Sequence, residues 1–574
     1  MRRGLLALLV ALLLTACGLP LPGGVQTPGR VPEGNAKDDE VEVLPPGPAE
    51  KASAVEIVTT FLGAQRSPED AHAVARMFLT PEAAARWDDR AGVKVYDPSR
   101  LVVTQPAPET VRVVSQLTAE VDARGVYRRS ARQDTEDYRV SCTAGRCRIA
   151  ALPRGLRLDS ATLGRSFSPR SVHFLAPPLA GAASGAAPHL VADLRWLPRT
   201  SPAQALVQAV LDGPSRVLDG SARTAVPGGT HLLQDVQTAA DGTVTVDLSP
   251  EVLALDPAAR EDLSAQLVWT LRALQTGFTR LRLLAAGRPL VVDGSAAPQD
   301  ADAWPAYDPE RLPSRVPALY VADRALRSLV DGGLATSDAT EGRLPVDVAA
   351  SSPSGFLGLL TRRDDGGADL RTGPQAGPFG RPRLSGDVSS PSWGSGDQGL
   401  FVLRAGRVVL LPPEGAAVPV PVVSDGRPLR AVRVSRDGVK VALLVGDADR
   451  PHLVVGRLVQ GARGPRITDL EEVVPTLTGV VDVAWETGTG LVVLETSPQG
   501  VLPARVPVDG ATVTVLGSRL PQGVTPVGLT AAAGRPVVLA ARRDADPGGP
   551  LTLYREQDAE FVKQAPGSEP FYPG

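Results

Sequence analysis

Three cysteines and five histidines in 574 residues leave few places for thiol, imidazole or metal chemistry. Cys142 and Cys147 lie in Tyr138-Arg-Val-Ser-Cys-Thr-Ala-Gly-Arg-Cys-Arg-Ile149, whose strand-like flanks and central Gly145 predict a hairpin tip. In an exported protein two cysteines this close are expected to oxidise to a local disulfide. A zinc site would need two more ligands, and His72, His173, His189, His231 and His452 are spread without metal-ligand spacing. No Gly-x-Ser-x-Gly elbow, phosphate-cradling glycine loop or Ser-His-Asp arrangement stands out. The acidic residues mostly occupy turns such as Arg363-Asp-Asp-Gly366, where aspartate has ordinary turn chemistry. The expectation is a non-enzyme with no cofactor and no metal site; ligand-binding residues cannot be assigned from the sequence.

Cys17 has a different setting. Arg2 and Arg3 precede an uncharged apolar run from Gly4 to Ala16. That run falls short of the roughly 20 residues a bilayer span needs and has the form of a secretory signal. Leu14-Thr15-Ala16-Cys17 resembles the bacterial lipobox, which implies that residues 1–16 are removed, the Cys17 thiol takes a diacylglycerol, and the new N-terminus is acylated. The competing reading is a plain signal peptide with a chance cysteine. Residues 17–48 are rich in Gly and Pro, with an acidic cluster at Asp38-Asp39-Glu40, and cannot bury enough surface to offset their ordering entropy. They read as a tether. One acyl chain binds a membrane only marginally, whereas a lipobox cysteine would carry at least two. The expected partner of Cys17 is membrane lipid, and the expected location is the extracytoplasmic face of the cell membrane. A net charge of −3, with arginine scattered among acids, gives no nucleic-acid patch.

The remainder divides by pattern. Residues 49–165 predict helices, with Val55, Val58, Phe61 and Leu62 at helical spacing, a second helix from Asp70 to Phe78 behind Ser67-Pro68, and then a mostly antiparallel sheet: an α+β domain. A pocket between helices and sheet is expected, with no titratable cluster visible to use it. Residues 171–293 predict an α/β domain. Ser201-Pro202 caps one helix and Asp256-Pro257 another, and strand Leu232–Thr238 turns at Asp241-Gly242 into strand Thr243–Leu248. In 310–574 a short strand, a turn and a more apolar strand recur: Val346–Ser351 with Phe356–Leu360, then from Val388, Ala431, Val480 and Val524. Offsets of about 40–50 residues are those of four-stranded propeller blades. Five or six units are expected; a β-sandwich is the alternative. The Ser435-Arg436-Asp437-Gly438 turn has the usual chemistry of such repeats.

A helix ending Leu-Asp-Gly-Pro, then Ala-Val-Pro-Gly-Gly-Thr, then Gly-Thr-Val-Thr-Val-Asp-Leu-Ser, resembles the GerMN domain of envelope and spore-germination proteins. Lipobox, α+β domain, GerMN domain and β-rich tail in this order resemble the LpqB family of actinobacterial lipoproteins. The resemblance implies an accessory of a two-component system, acting extracytoplasmically on a membrane sensor histidine kinase in envelope and division homeostasis. It carries over only Cys17, as the lipidated position, and no catalytic residue. A solute-binding lipoprotein using the GerMN cleft or a propeller channel is the alternative.

Overall fold

The computed structural model describes residues 46–574, except 68–71, 178–188, 275–276, 295–296, 311, 313–315, 331–332, 337–343, 396–397, 424–425, 462–463, 478 and 517–519. Cys17, the signal segment and nearly all of the tether lie outside the described residues.

Ser53 opens the first helix, Ala54–Ala64, with a capping box: its Oγ accepts from the Glu56 amide while Glu56 accepts from the Ser53 amide. Ile57, Val58 and Phe61 are buried against Val111, Val113, Tyr138 and Ile149 of a seven-stranded sheet. Strand Gly92–Tyr96 runs antiparallel to Thr110–Asp122 and parallel to Leu156–Asp159. The expected helix over Asp70–Phe78 is shorter in its described part, Ala73–Arg76, because His72 turns left-handed (φ 60°) ahead of it.

A long ribbon, Phe167–Leu175 with Leu190–Pro198, leads into the second domain. Its helices Pro202–Leu211 and Pro257–Leu271 pack Leu206, Val210, Leu263 and Leu267 on Val244, Val246 and Leu281 of a five-stranded sheet. Asp256 caps through its side chain, but Ser201 does not: it sits at φ 49° and only Pro202 sets the helix start. The expected strand Leu232–Thr238 is interrupted: it pairs at Gln237–Thr238 and, through an isolated bridge, at Leu232 opposite Leu248. Around the interruption two backbone amides go to side chains: His231 N to Ser249 Oγ at 3.0 Å and Val236 N to Gln204 Oε1 at 2.6 Å. The following turn needs Gly242, at φ 79°, where a Cβ would collide with the Gly277 carbonyl.

The C-terminal region is a β-propeller of six four-stranded blades. The innermost strands are Ser568–Phe571, Val348–Ser351, Val388–Trp393, Leu429–Val434, Val480–Thr487 and Val524–Thr530, each touching the next around a closed ring. The first blade closes the ring by joining the chain's last strand, Ser568–Phe571, to Ala318–Ala322. An apolar core fills the space between every neighbouring pair of blades. Indoles stitch adjacent inner strands: Trp393 Nε1 donates to Ala350 O at 3.1 Å and Trp485 Nε1 to Arg433 O at 2.9 Å.

Candidate functional site

The six inner strands enclose a channel with a cavity of about 360 Å³. One end is closed chiefly by the Arg436 side chain. Arg436, on the turn after the fourth inner strand, lies across the axis: Nη1 donates to Trp485 O at 3.0 Å, Nη2 to Ala531 O at 3.0 Å and Nε to Pro573 O at 3.1 Å. It thus reaches the fifth blade, the sixth blade and the chain's end. The Gly574 amide continues the closure to Ser351 of the second blade at 2.8 Å. The opposite end, where the inner strands begin, presents Arg430, Asp482 and Glu569.

The closed end is also where the second domain is fastened. Lys440 Nζ donates to Asp437 Oδ2 at 2.9 Å and across the joint to Ala192 O at 2.8 Å. His189 Nε2 lies 3.1 Å from Asp437 O and 3.2 Å from Ser395 Oγ. Ser221 Oγ donates to Leu458 O at 3.0 Å. Glu310, in the segment linking the domains, accepts from the Gly488 amide at 2.7 Å and faces Arg436 at 3.9 Å. Its second carboxylate oxygen is buried without a hydrogen bond. Burial, reinforced by Asp437 and Asp308 against Arg436 and the Gly488 amide, pushes this carboxyl up to about 7. The turn with the usual chemistry of such repeats is therefore also a buried joint: Asp437 is 1% and Arg436 5% exposed.

The N-terminal domain joins the same body through Arg129 Nη1, which donates to Gly510 O at 2.8 Å, and beside it Trp196 Nε1 of the ribbon donates to Asp509 Oδ2 at 2.9 Å. Inside it, Arg157 meets Asp134, Glu136 and Ser115 between helix and sheet. Lys94 adds bonds to Asp134 at 3.0 Å and Glu136 at 2.6 Å. Burial alone would raise the Asp134 carboxyl, but hydrogen bonds and charge from Lys94 and Arg157 hold it at about 2. This is a titratable cluster where the sequence exhibited none. Strand alternation assembles it from positions 94, 134, 136 and 157, too far apart along the chain to read as a motif. The space beside it is about 10 Å³, near the size of one water.

Cys142 and Cys147 face each other on the hairpin and are joined as a disulfide. His173 is buried beneath Trp269, and burial, with Arg272 and Lys440 nearby, lowers its pKa to about 3. His452 pairs with Glu472 at 2.7 Å. Among the described residues no group of three or more His, Cys, Asp or Glu side chains could hold a metal, and no helix is long and apolar enough to cross a membrane.

Known proteins match this arrangement in order. The family model for the LpqB N-terminal domain matches residues 47–164, that for a sporulation and spore germination domain 177–291, and that for the LpqB beta-propeller domain 326–573. Lipoprotein LpqB of Cutibacterium acnes is 28% identical, covering 88% of this chain and 89% of its own length. Lipoprotein LpqB of Thermobifida fusca is 27% identical, covering 98% and 97%. The chain belongs to the LpqB lipoprotein family. Among solved structures, TolB from Acinetobacter baumannii aligns with 14% identity and a TM-score of 0.35, over 45% of this chain and 67% of its own; that likeness is too slight to bear on function. The LpqB relatives are named as lipoproteins and not as enzymes.

Proposed function

We propose that this LpqB-family chain is a non-catalytic regulatory lipoprotein, anchored through lipid on Cys17 at the extracytoplasmic membrane face, that binds a sensor histidine kinase and biases its signalling state. The observation that carries this reading is the buried joint. Lys440, Asp437 and His189 fasten the second domain to the propeller, so a partner engaging either domain holds both. A protein held at the membrane through lipid on Cys17 acts at high effective concentration near a membrane partner. It shifts a two-state kinase by its differential affinity for the two states. The kinase itself comes from the resemblance to the LpqB family. The test crosslinks the anchored protein in membranes and follows response-regulator phosphorylation. Deleting the chain from Ser171 onward should change phosphorylation and abolish kinase recovery. Unchanged phosphorylation with no kinase recovered would sink the reading. Fatty-acid labelling of wild type, absent in Cys17→Ser, tests the anchor.

The cavity supports a second reading, a solute-binding lipoprotein. A channel closed by Arg436 at one end and open at the other is a blind funnel, and its volume lies within the range of small-molecule sites.

A further inference from the structure

The funnel has oppositely charged walls. Arg430 and Arg433 come from the fourth inner strand; Glu569 comes from the first, which stands opposite in a ring of six. Asp482, on the fifth, lies between them. Arg433 is engaged through both terminal nitrogens: Nη1 donates to Ser390 Oγ at 2.6 Å and Nη2 to Asp482 Oδ1 at 3.3 Å. The other Asp482 oxygen accepts from the Leu529 amide at 3.0 Å. Beside Asp482 the sixth strand carries Gly528, which has no side chain to fill the channel.

Two groups are left over. Arg430 donates through Nε to Gly446 O at 3.0 Å, and among the described residues its two terminal nitrogens bond nothing. The Glu569 carboxylate, on a residue held left-handed at φ 47°, accepts no hydrogen bond among the described residues. Both side chains are reached by solvent. Confinement raises the Glu569 carboxyl and Asp482 raises it further, against Arg433 and Arg362. A carboxylate in that state gains from a cation brought to it, and an open guanidinium gains from a carboxylate. A simple anion or cation would satisfy one wall and leave the other as it is. A ligand with both charges satisfies both.

We propose that the open funnel binds a small zwitterion of the amino-acid or short-peptide class, with its ammonium at Glu569 beside Asp482 and its carboxylate at Arg430 beside Arg433. This deepens the solute-binding reading. It does not depend on the kinase.

The experiment is titration calorimetry of the full-length protein in detergent micelles, with tri-L-alanine, N-acetyl-tri-L-alanine, tri-L-alanine amide and free L-alanine. Tri-L-alanine or L-alanine should bind. Blocking either end of the peptide should weaken binding about tenfold or more, the size of one charge-assisted hydrogen bond. Glu569→Gln should weaken the free peptide but leave the N-acetyl form unchanged, and Arg430→Gln should do the same with respect to the amide. Both side chains are exposed, so the variants should melt like wild type, and melting curves check this. No binding by either free zwitterion overturns the proposal, as does equal binding of free and blocked peptides. Kinase crosslinking, measured separately, would stand or fall independently of either result.

Discussion

Arg157 and Arg436 are both buried guanidinium groups, 2% and 5% exposed, yet they are compensated in different ways. Around Arg157 the acceptors are carboxylates of its own domain, Asp134 and Glu136. Burial lowers its pKa, but those charges outweigh burial and the net shift is upward. Around Arg436 the acceptors are three carbonyls, with one carboxylate 3.9 Å away. There burial prevails and the net shift is downward. Carbonyl dipoles hold a guanidinium in place but do not fully neutralise it, and the carboxylate beside it is also left poorly compensated. A cluster inside one domain is closed in charge. The cluster at the joint is not, and its ionisation lies within the physiological range.

The comparison is broken most severely at Arg157. Arg157→Met leaves Asp134 and Glu136 buried with only Lys94 and Arg132 as counter-charges, and should cost about 3–5 kcal/mol at pH 7. Asp134 has its pKa lowered from 3.8 to about 2. Its contribution is therefore complete above the unfolded value and is lost as pH falls toward about 2. Denaturant unfolding should show the gap between wild type and variant narrowing over that window. A gap independent of pH would mean that the loss is one of packing.

Arg436→Met should cost less, about 3 kcal/mol, because most of what it leaves unsatisfied is neutral carbonyl rather than carboxylate. Its effect should also be local. Proteolysis should find the linker around Glu310 more accessible, while the N-terminal domain keeps its resistance. Loss of resistance throughout the chain would contradict a role confined to the closed end and the joint.

These two centres differ in how much the sequence reveals. The blades are legible because each inner strand and its neighbour are adjacent in the chain, as in Ala431–Ser435 and Val439–Leu444, so the period repeats locally. The first blade is harder to see: its inner strand, Ser568–Phe571, pairs with Ala318–Ala322 from the far end of the repeat, and no local pattern links them. The first helix is legible from its apolar spacing alone, while its Ser53 cap is seen only in the structure. Arg436 and Asp437 read as an ordinary repeat turn because turn chemistry is local, whereas their burial comes from a second domain seated on that turn. Lys94, Asp134, Glu136 and Arg157 are each ordinary strand charges; only the register of four strands brings them together. The channel charges have the same difficulty, being one or two residues from each of several blades.

Glu310 sharpens the contrast through pH. Its pKa is raised from 4.5 to about 7, so the buried carboxyl is tolerated fully below the unfolded value and becomes a growing cost as pH rises through 7. Glu310→Gln keeps an acceptor for the Gly488 amide and cannot ionise. It should match wild type at pH 4 and be more stable at pH 8.5 by about 2 kcal/mol, within the limit set by the shift. Melting temperatures measured across that range provide the check. A constant difference between the two proteins would show that the carboxyl does not titrate within the joint.

The smallest effect is expected at the one covalent crosslink. The disulfide joins residues only five apart on a hairpin whose register already sets Cys142 opposite Cys147. Closing so short a loop removes little freedom from the unfolded chain, about 2 kcal/mol at most in the chain-entropy model. The turn between them also has its own support, with Ala144 at φ 52° and Gly145 at φ 78° completing the reversal. Cys142→Ser with Cys147→Ser should therefore destabilise the protein by less than Arg157→Met or Arg436→Met, and should leave kinase crosslinking unchanged. A covalent bond that contributes less than either set of non-covalent contacts is what a stable domain predicts. If the double variant unfolds as readily as Arg157→Met, the hairpin is held by its crosslink, and the buried ion cluster at its base is not the main fastening of this domain.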